Sequence, residues 1–514
     1  MMQRRTMLGQ SVLGLAGAAV AAPTLALAAG KRFLANDYGA KADGTTINTR
    51  AIQAAIDAAA KVGGIVAFRP GAYRTGSIFV KSGVTLLIDK GVRILGSQKL
   101  ADYPEMFTRA ADIEMNWPSG LINVYGQQNV RIVGDGIIDG DGKIFWDSYW
   151  ALRREYEPKG IRWAADFDCR RPRLIQIFRS SNVELAGPRL HRPGFWTVHV
   201  CYSDKVKLAD LLIYTNEGGR GPSTDGIDID SCSNVLVERL DVSCNDDALC
   251  LKAGRGVDGF RVNRPSRDIV VRDCVVRDAH GGISFGSGTT GGFHNVTFEN
   301  IDIRFPVPVG ILFKSALGRG GHIHDIDIRK VRMHHVPVAM RILPNWYPAY
   351  STVTIPPEIK DVPEHWKLLA APVLPREKGM VKITDVRLKD IRAVGAKTAF
   401  EVEGFPEVPI ERFTFEDVYL DAQSAGFIRN ARDWRFIRSE IDAVDRKKPE
   451  LGGTSGMTRI WSGRGVAAAA PPPAAGPTLY PRLTRLRSRT RRTRSGRRPT
   501  TPRHRVLVLP RRGW

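Results

Sequence analysis

The feature that most constrains this chain is a short motif that recurs every 22 to 34 residues or so between residues 182 and 325. Each copy begins with Asn, Asp or Lys, and Val, Ile, Leu or Phe then occupies every second position. The copies lie at 129–132, 182–185, 205–208, 234–237, 268–271, 295–298, 325–328 and 385–388. Alternation of this kind is typical of β-strands, and the polar residue before it is typical of a turn.

A unit of two or three short strands cannot bury its own apolar face, so successive units have to stack on one another. We therefore predict an all-β fold, a right-handed parallel β-helix with ladders of Val and Ile inside. A β-propeller would need a period nearer 40 to 50 residues, and β-sandwiches lack a turn that repeats in this way.

One helix is predicted near the start of the folded domain. Residues 49–61 have helical spacing, with Ile52 and Ile56 four residues apart on one face. We expect this short helix to cap the open N-terminal end of the solenoid, where unpaired strand edges would otherwise be exposed. No further helix is predicted for several hundred residues.

Both ends of the chain differ in composition from the middle. Residues 1–28 have a twin-arginine pattern at Arg4 and Arg5, an Ala-rich stretch and a small-x-small cleavage site, which together predict a signal peptide. We expect a β-helix domain at 29–462 and an Ala/Pro-rich, then Arg-rich, disordered tail at 463–514. The expected location is periplasmic or secreted, with no membrane anchor after signal removal.

The formal net charge of +23 does not by itself indicate a nucleic-acid partner, because 13 arginines lie in the tail between Arg482 and Arg512. The rest of the chain is only mildly basic, which suits an acidic polysaccharide or oligosaccharide. We expect no nucleic-acid partner. A monomer is expected, although the sequence does not define the oligomeric state.

The six cysteines show neither a Cys-x-x-Cys pair nor the spacing of a zinc site. An oxidising compartment permits a disulfide, but buried free thiols fit the apolar surroundings equally well, so no bridge is assigned. No metal site and no organic cofactor are expected.

Carboxylates cluster where the repeat is most regular. Asp225 and Asp246 are 21 residues apart, which predicts the same face on adjacent turns. Asp247 reaches that face only if the chain bends, and Cys244-Asn245 is a plausible place for a bend. Three crowded carboxylates repel one another, which raises at least one pKa and makes a general acid available near neutral pH.

Two further residues follow on the next turns of the predicted solenoid, His280 and Lys314. A stripe of three Asp, one His and one Lys is suited to cleaving a glycosidic bond in an acidic sugar, whose carboxylate the lysine would hold. Asp228 and Asp230 are interpreted as turn residues instead. Taken alone, His280 would be interpreted as structural. What favours a site is that the Asp motifs, His280 and Lys314 are all in register on successive turns.

These motifs resemble the four signatures of glycoside hydrolase family 28, the polygalacturonases. The matching residues are Thr224-Asp225-Gly226, Asp246-Asp247, His280-Gly281 and Lys314, and the resemblance covers roughly residues 36–440. It implies a pectin-lyase-like β-helix and hydrolysis with inversion. It also implies a general acid at Asp246, water activation by Asp225 and Asp247, proton sharing by His280, and substrate binding by Ser223 and Lys314.

The chain departs from the family pattern at two positions. Leu312 stands where the family has arginine, and Ser223 stands where it has asparagine. Losing a charged hydrogen bond to substrate costs roughly 1.5–3 kcal/mol, so compensation is expected from nearby cations. The candidates are Lys252, Arg255 and Arg319. A loop at 254–265 resembles those of exo-acting bacterial members and could block one end of the groove.

The leading hypothesis is an exported hydrolase of α-galacturonosyl linkages in pectin or pectic oligosaccharides, with exo action. The alternative within the class is a hydrolase of a modified or mixed backbone such as rhamnogalacturonan, which Leu312 favours. A pectate lyase would need a calcium site and a basic residue as base. A non-catalytic carbohydrate-binding β-helix is the alternative of another class, but it has no use for the assembled acids.

Overall fold

The computed structural model describes residues 30–458. These residues form a right-handed parallel β-helix, which confirms the predicted fold class. The predicted signal peptide at 1–28 and tail at 463–514 lie outside the described residues. Within residues 30–458, no helix combines the length and the apolar character needed to cross a bilayer.

Most strands are short, and five strands between residues 266 and 429 have 12 to 22 residues. In chain order they are β1 (Arg32–Leu34), β2 (Asp43–Ile47), β3 (Ile65–Ala67), β4 (Gly71–Thr75), β5 (Ile78–Phe79), β6 (Thr85–Leu87), β7 (Val92–Gly96), β8 (Glu105–Ala110), β9 (Ile113–Pro118), β10 (Ile122–Tyr125), β11 (Gln128–Val133), β12 (Ile137–Asp139), β13 (Ile175–Phe178), β14 (Ser181–Ala186), β15 (Arg189–His191), β16 (Val198–Cys201), β17 (Asp204–Ala209), β18 (Leu212–Tyr214), β19 (Ile227–Asp230), β20 (Ser233–Glu238), β21 (Asp241–Ser243), β22 (Asp247–Lys252), β23 (Ser266–Asp278), β24 (Gly281–Phe285), β25 (Phe293–Arg304), β26 (Val309–Lys314), β27 (His322–His334), β28 (Val338–Leu343), β29 (Lys382–Glu403), β30 (Ile410–Arg429), β31 (Ala431–Arg432), β32 (Arg435–Ile437), β33 (Glu440–Ala443) and β34 (Glu450–Gly452). The helices are α1 (Thr49–Ala60), α2 (Lys143–Tyr156), α3 (Ala165–Asp168), α4 (Gly256–Val262), α5 (Pro348–Ser351) and α6 (Glu364–Ala370), with 3-10 turns at Ala35–Tyr38, Leu100–Asp102, Arg162–Ala164 and Arg376–Gly379.

Strands from successive turns pair in parallel and build three ladders around one apolar core. The ladder that matters for function, called ladder A here, contains β5, β10, β13, β16, β19, β22, β24, β26 and β28 in that spatial order. Strands β23, β25, β27, β29 and β30 are long enough to bend across two ladders. Only β8 and β9 pair in antiparallel fashion among the described strands, as a hairpin outside the ladders.

The repeated sequence motif marks one corner of the solenoid, as predicted. Val183, Val206, Val235 and Ile269 stack in register on successive turns. The polar residue that begins each copy of the motif has a φ between 52° and 57°. Asn and Asp tolerate this left-handed conformation better than other side chains do, which explains why they occupy most copies.

The predicted N-terminal cap is confirmed. Helix α1 buries Ile52 and Ile56 against the first turn of the solenoid. The side chain of Gln53 adds a paired contact, because it accepts a hydrogen bond from the backbone N–H of Phe79 at 2.9 Å and donates one to its carbonyl at 3.0 Å. This amide therefore occupies a strand edge that would otherwise be open.

The prediction of no further helix was wrong, because several loops between strands carry long insertions. Helix α2 lies between β12 and β13 and buries Phe145, Trp146 and Tyr149 on one face. Helix α4 lies in the loop after β22, and α5 and α6 lie in the segment between β28 and β29. Insertions do not follow the repeat, so the repeat period carries no information about them.

Candidate active site

The outer face of ladder A presents one column of side chains whose register is fixed by the core beneath it. Side chains alternate inward and outward along each strand, so every second residue points away from the core. Successive turns place Gln176, His199, Asp228, Cys250, Ser284, Leu312 and Arg341 in this column. The column is unusual for an outer face because most of it is buried.

A cleft of about 390 Å³ lies against this face. Its lining includes every residue that the sequence analysis proposed for the site, namely Ser223, Asp225, Asp246, Asp247, His280 and Lys314. The three cations named as compensation for Leu312 also line it, namely Lys252, Arg255 and Arg319. The structure therefore brings together predicted residues that are up to 96 positions apart in the sequence, from Ser223 to Arg319.

The register of the acids differs by one residue from the sequence expectation. Ile227 pairs with Leu249, which places Asp225 opposite Asp247 rather than Asp246. The backbone N–H of Gly226 accordingly donates to the carbonyl of Asp247 at 2.9 Å. Asp246 precedes β22 and lies in the predicted bend, which is why two consecutive carboxylates both reach the cleft.

Asp247 is a buried carboxylate with strong partners. Lys314 lies 2.8 Å from its Oδ2, and the hydroxyl of Ser284 donates to its Oδ1 at 3.0 Å. Burial raises the pKa of Asp247, but the ammonium groups of Lys314 and Lys252 outweigh burial and hold this pKa below its usual value. Asp247 is therefore ionised at neutral pH.

Asp225 lies one turn away in a different environment. Its side chain is buried, and its Oδ1 has no hydrogen-bond partner among the described residues. Burial, followed by the charges of Asp228 and Asp246, raises the pKa of Asp225 well above its usual value. Lys252 opposes this shift from 3.6 Å. The two facing carboxylates thus ionise at different pH, which is typical of acid–base sites.

Asp246 and His280 lie at the more accessible part of the cleft. Asp246 is half-buried, and His280 is exposed on the following turn. The backbone N–H of His280 donates to the carbonyl of Asp246 at 2.8 Å, which fixes the two residues next to each other. Asp246 therefore combines access to solvent with a position beside two buried acids, as a proton donor requires.

The two predicted substrate-binding residues already have protein partners. Lys314 contacts Asp247 and lies 4.9 Å from the centre of the Trp346 ring. The hydroxyl of Ser223 donates to Asp166 at 2.9 Å. Both residues line the cleft, so their partners orient them without removing them from the site.

The interpretation of Asp228 and Asp230 as turn residues was wrong. Both lie in β19 with no exposed surface. Asp228 contacts Lys252 at 3.3 Å, and the same ammonium group lies 3.6 Å from Asp225. Asp230 forms a buried ion pair with Arg109 at 2.6 Å. The alternation of Ile227-Asp228-Ile229-Asp230 already had the period of a strand, and this signal outweighs the frequent occurrence of Asp in turns.

Insertions enclose the cleft on several sides. The turn of the β8–β9 hairpin contributes Asp112, whose carbonyl accepts a hydrogen bond from the Arg255 N–H at 3.1 Å. The α2 insertion contributes Trp150, and the segment after β28 contributes Trp346. These last two insertions also touch each other through Trp163 and Trp366, whose ring centres are 5.1 Å apart. The site is therefore a walled cleft rather than an open groove.

The lining is mixed in charge, with an apolar patch at the position of the family arginine. Leu312 is buried against Val309 and Val338 on the outer face of the solenoid. Arg341 occupies the same column one turn further on and pairs with Glu401 at 2.6 Å. A cation is thus present near Leu312, displaced along the cleft by one strand spacing.

All six cysteines are buried free thiols, which agrees with one of the two alternatives left open by the sequence. Two groups of metal-type ligands lie close together, namely His199 with Cys201 and Asp230, and Asp225 with Asp247 and Cys250. Arg109 already neutralises the first group, and Lys252 and Lys314 flank the second. A cation in either place would have to displace these positive charges.

Two family profiles match this chain. Glycosyl hydrolases family 28 matches residues 77–360, and a profile described as rhamnogalacturonase A/epimerase, pectate lyase-like, matches residues 33–97. The chain is 27% identical over 395 residues to a probable polygalacturonase of Vitis vinifera, covering 75% of this chain and 73% of that protein. It is 28% identical over 333 residues to an exo-poly-α-D-galacturonosidase of Dickeya chrysanthemi, covering 58% of this chain and 54% of that protein.

Solved structures share the fold. A hyperthermoactive exopolygalacturonase from Thermotoga maritima superposes with a TM-score of 0.63 at 22% identity, covering 84% of this chain and 91% of the other. A family 28 exopolygalacturonase from Yersinia enterocolitica gives a TM-score of 0.69 at 21% identity, covering 84% and 78%. At these identities the likeness concerns the fold alone. The family 28 profile spans more than half of the chain, which therefore belongs to glycosyl hydrolases family 28 and is a glycoside hydrolase.

Proposed function

We propose that this protein is an exo-acting polygalacturonase that hydrolyses α-galacturonosyl linkages with inversion of configuration. The observation that carries the proposal is the cleft in which Asp225, Asp246, Asp247 and His280 converge beside buried lysines. The names of the relatives support the substrate, since the Vitis protein is named a probable polygalacturonase and the Dickeya protein an exo-poly-α-D-galacturonosidase. The cations of the cleft suit the carboxylates of such a chain.

The proposed roles follow from the environments of the three acids. Asp246, half-buried and near solvent, donates a proton to the leaving glycosidic oxygen. Asp247 is held ionised by Lys314 and takes a proton from the attacking water. Asp225 faces Asp247 and holds that water with it. An inverting enzyme needs room for this water, roughly 6.5–9.5 Å between the acid and the base.

His280 and Lys314 act on either side of these acids in the proposal. His280 shares the proton of Asp246, since a backbone hydrogen bond holds the two residues side by side. Lys314 has two tasks, holding the charge of Asp247 and attracting the carboxylate of the bound sugar. Ser223 binds substrate from the opposite wall, where Asp166 orients its hydroxyl.

The exo mode is supported by the walls of the cleft. The carbonyl of Asp112 in the hairpin turn accepts a backbone hydrogen bond from Arg255 at the start of α4, and this contact closes part of the rim of the cleft. A polymer that has to enter such a cleft by its end is shortened stepwise. The proposal also includes export by the twin-arginine route, which rests on Arg4 and Arg5 of the sequence.

The test uses the purified protein with polygalacturonate and digalacturonate, beside an Asp246→Asn variant. Exo action predicts galacturonic acid or its dimer from the first time points, with little loss of viscosity. Proton NMR of the first-formed product should show the anomer opposite to the substrate linkage. Oligomers of mixed length with a rapid fall in viscosity would refute exo action, and no release from any pectic substrate would refute the function.

Export has its own test. The full-length chain is expressed in a bacterial host that has a twin-arginine system, beside a variant carrying Arg4→Lys and Arg5→Lys. The wild-type protein should appear in the periplasmic fraction and the variant should remain in the cytoplasm. Equal distribution of the two proteins would refute the proposed route.

A second candidate function is hydrolysis of a mixed pectic backbone such as rhamnogalacturonan. The observation that favours it is the apolar patch of Leu312, Val309 and Val338, which suits the methyl group of a deoxy sugar better than a carboxylate. Release from rhamnogalacturonan oligosaccharides, with none from digalacturonate, would select this candidate over the first.

A further inference from the structure

Below the cleft, a chain of buried ionisable groups continues past the residues that the family motifs identify. Lys252 lies between two carboxylates, 3.6 Å from Asp225 and 3.3 Å from Asp228. Lys252 is 6% exposed and Asp228 has no exposed surface. Neither oxygen of Asp228 has a hydrogen-bond partner among the described residues. A buried charge is costly unless it is paired and hydrogen-bonded, and the pair with Lys252 meets only part of this need for Asp228.

The buried charges around Asp225 are coupled to one another. Asp225, Asp228 and Asp247 contribute three carboxylates, and Lys252 and Lys314 contribute two ammonium groups. The buried guanidinium of Arg173 adds a third positive charge on the Asp228 side. Lys314 keeps Asp247 ionised, whereas burial raises the pKa of both Asp225 and Asp228, so these two carboxyl groups are the ones that retain a proton.

We propose that Lys252 and Asp228 are positioning residues that set the ionisation of Asp225 from opposite sides. The ammonium of Lys252 favours the carboxylate form of Asp225, and the negative charge of Asp228 opposes it. Lys252 thus controls the fraction of enzyme in which Asp225 can hold the attacking water. This inference rests on the proposed function for its catalytic meaning, but the charge coupling itself does not.

Other titratable groups face this cluster from the neighbouring strands and loops, namely Asp246, Asp112, Cys250, Arg173 and His199. Burial lowers the pKa of His199 to about 4, so this imidazole is neutral at neutral pH. The Trp196 ring lies 4.9 Å from the Lys252 ammonium and restricts its movement. Burial raises the pKa of Asp228 to about 7, against the opposing charge of Lys252, so this carboxyl group titrates near neutral pH.

The test compares Lys252→Met with Asp228→Asn by following the rate against pH on polygalacturonate. A charge at this distance moves a carboxyl pKa by about 1–3 units. The acid limb of kcat/KM should therefore move to higher pH in Lys252→Met and to lower pH in Asp228→Asn. Lys252→Arg should restore most of the wild-type limb, because it keeps the charge. Lys90→Met and Asp135→Asn, both on exposed surface, are the matched controls.

A role confined to folding would not give shifts of opposite sign, so this pattern separates positioning from structure. The proposal would be overturned if the acid limb of kcat/KM moved in the same direction in both variants, or if it coincided with that of the wild type in both. Near-ultraviolet circular dichroism of each variant checks that the fold is retained.

A second readout needs no activity. Because the folded pKa of Asp228 lies above its unfolded value of about 3.9, the native state binds more protons between pH 4 and 7 and loses stability as the pH rises through that window. The fall in melting temperature over this range should be smaller in Asp228→Asn and should extend to higher pH in Lys252→Met. If no pectic substrate is cleaved, the proposed function fails, but the melting curves still test whether Lys252 and the buried carboxylates are coupled. Melting curves that match the wild type in both variants would overturn the proposed coupling.

Discussion

Arg109→Met tests whether a buried ion pair holds the β8–β9 hairpin against the solenoid. Arg109 lies on β8 and donates to Asp230 Oδ1 at 2.6 Å and to the Ser231 hydroxyl at 2.8 Å. Its guanidinium carbon lies 4.6 Å from the centre of the Tyr202 ring. Arg109 and Asp230 are both 0% exposed, so methionine would leave the Asp230 carboxylate uncompensated in the interior.

The magnitude follows from the burial of both partners. Removing one partner of a buried ion pair costs about 3–5 kcal/mol. A folded unit of about 430 residues unfolds with an entropy near 0.9 kcal/mol/K, so the melting temperature should fall by roughly 3–6 °C. His199 contacts Asp230 Oδ2 at 3.3 Å and can take up part of the charge, which places the expected value toward the lower end.

Scanning calorimetry at neutral pH measures the effect, with Arg50→Met on the exposed face of α1 as the matched control. The control should shift the melting temperature by less than about 1 °C. The double variant Arg109→Met, Asp230→Asn should recover much of the loss, because it removes the orphaned charge along with its partner. The reasoning would be refuted if Arg109→Met had the same melting temperature as the control, or if the double variant were less stable than Arg109→Met.

The release of the hairpin has a functional consequence that the same variant reports. The hairpin turn at Asp112 lines the cleft, so loosening β8 should widen one end of it. We expect longer products from polygalacturonate in Arg109→Met than in wild type.

Much of this fold could be predicted from the sequence because a β-helix repeats one physical solution on every turn. The stacking of Val183 on Val206 and Val235 follows from alternation alone, and the left-handed turn before each explains the Asn and Asp. The capping helix followed from the spacing of Ile52 and Ile56. These features depend on local pattern, which is what a single sequence displays.

The rest of the site depends on contacts between distant segments, which the local pattern does not encode. The outer face of ladder A would be solvent-exposed in a bare solenoid, and Asp228 and Asp230 would then be ordinary polar residues. The hairpin of β8 and β9 covers this face and turns both into buried charges that require Lys252 and Arg109. The insertions supplied neither period nor motif, so the burial of these acids could not be predicted.

The one-residue error in register has a different origin. The spacing of 21 residues predicted that Asp225 and Asp246 stack on the same face of adjacent turns, but the pairing of the core residues Ile227 and Leu249 decides the register. Asp247 therefore faces Asp225. The assignment of Asp247 as the ionised member of the pair depends on its 2.8 Å contact with Lys314, which lies two turns further along the solenoid.

Three further variants test the site. Asp246→Asn should lower kcat by about 10²–10⁴-fold without changing the melting temperature, as measured by reducing-end release, because it removes the proposed proton donor. In Lys314→Met the pKa of Asp247 should rise. In the wild-type protein the folded pKa of Asp247 lies below the unfolded pKa of about 3.9, so ionised Asp247 stabilises the fold above that pH, and this stability is lost as the pH falls through the folded pKa. The Lys314→Met variant lacks this contribution. It should therefore be less stable at pH 7 and should lose less stability on acidification. Identical melting curves between pH 2 and 7 would contradict this. Leu312→Arg places a guanidinium beside Lys314 at the position of the family arginine, one turn before Arg341, whose charge Glu401 already balances. If galacturonan is the substrate, a new charged hydrogen bond worth about 1.5 kcal/mol should lower KM for oligogalacturonates roughly tenfold. A higher KM for oligogalacturonates would instead show that the apolar wall of Leu312 itself contacts the sugar, and would favour the mixed backbone as substrate.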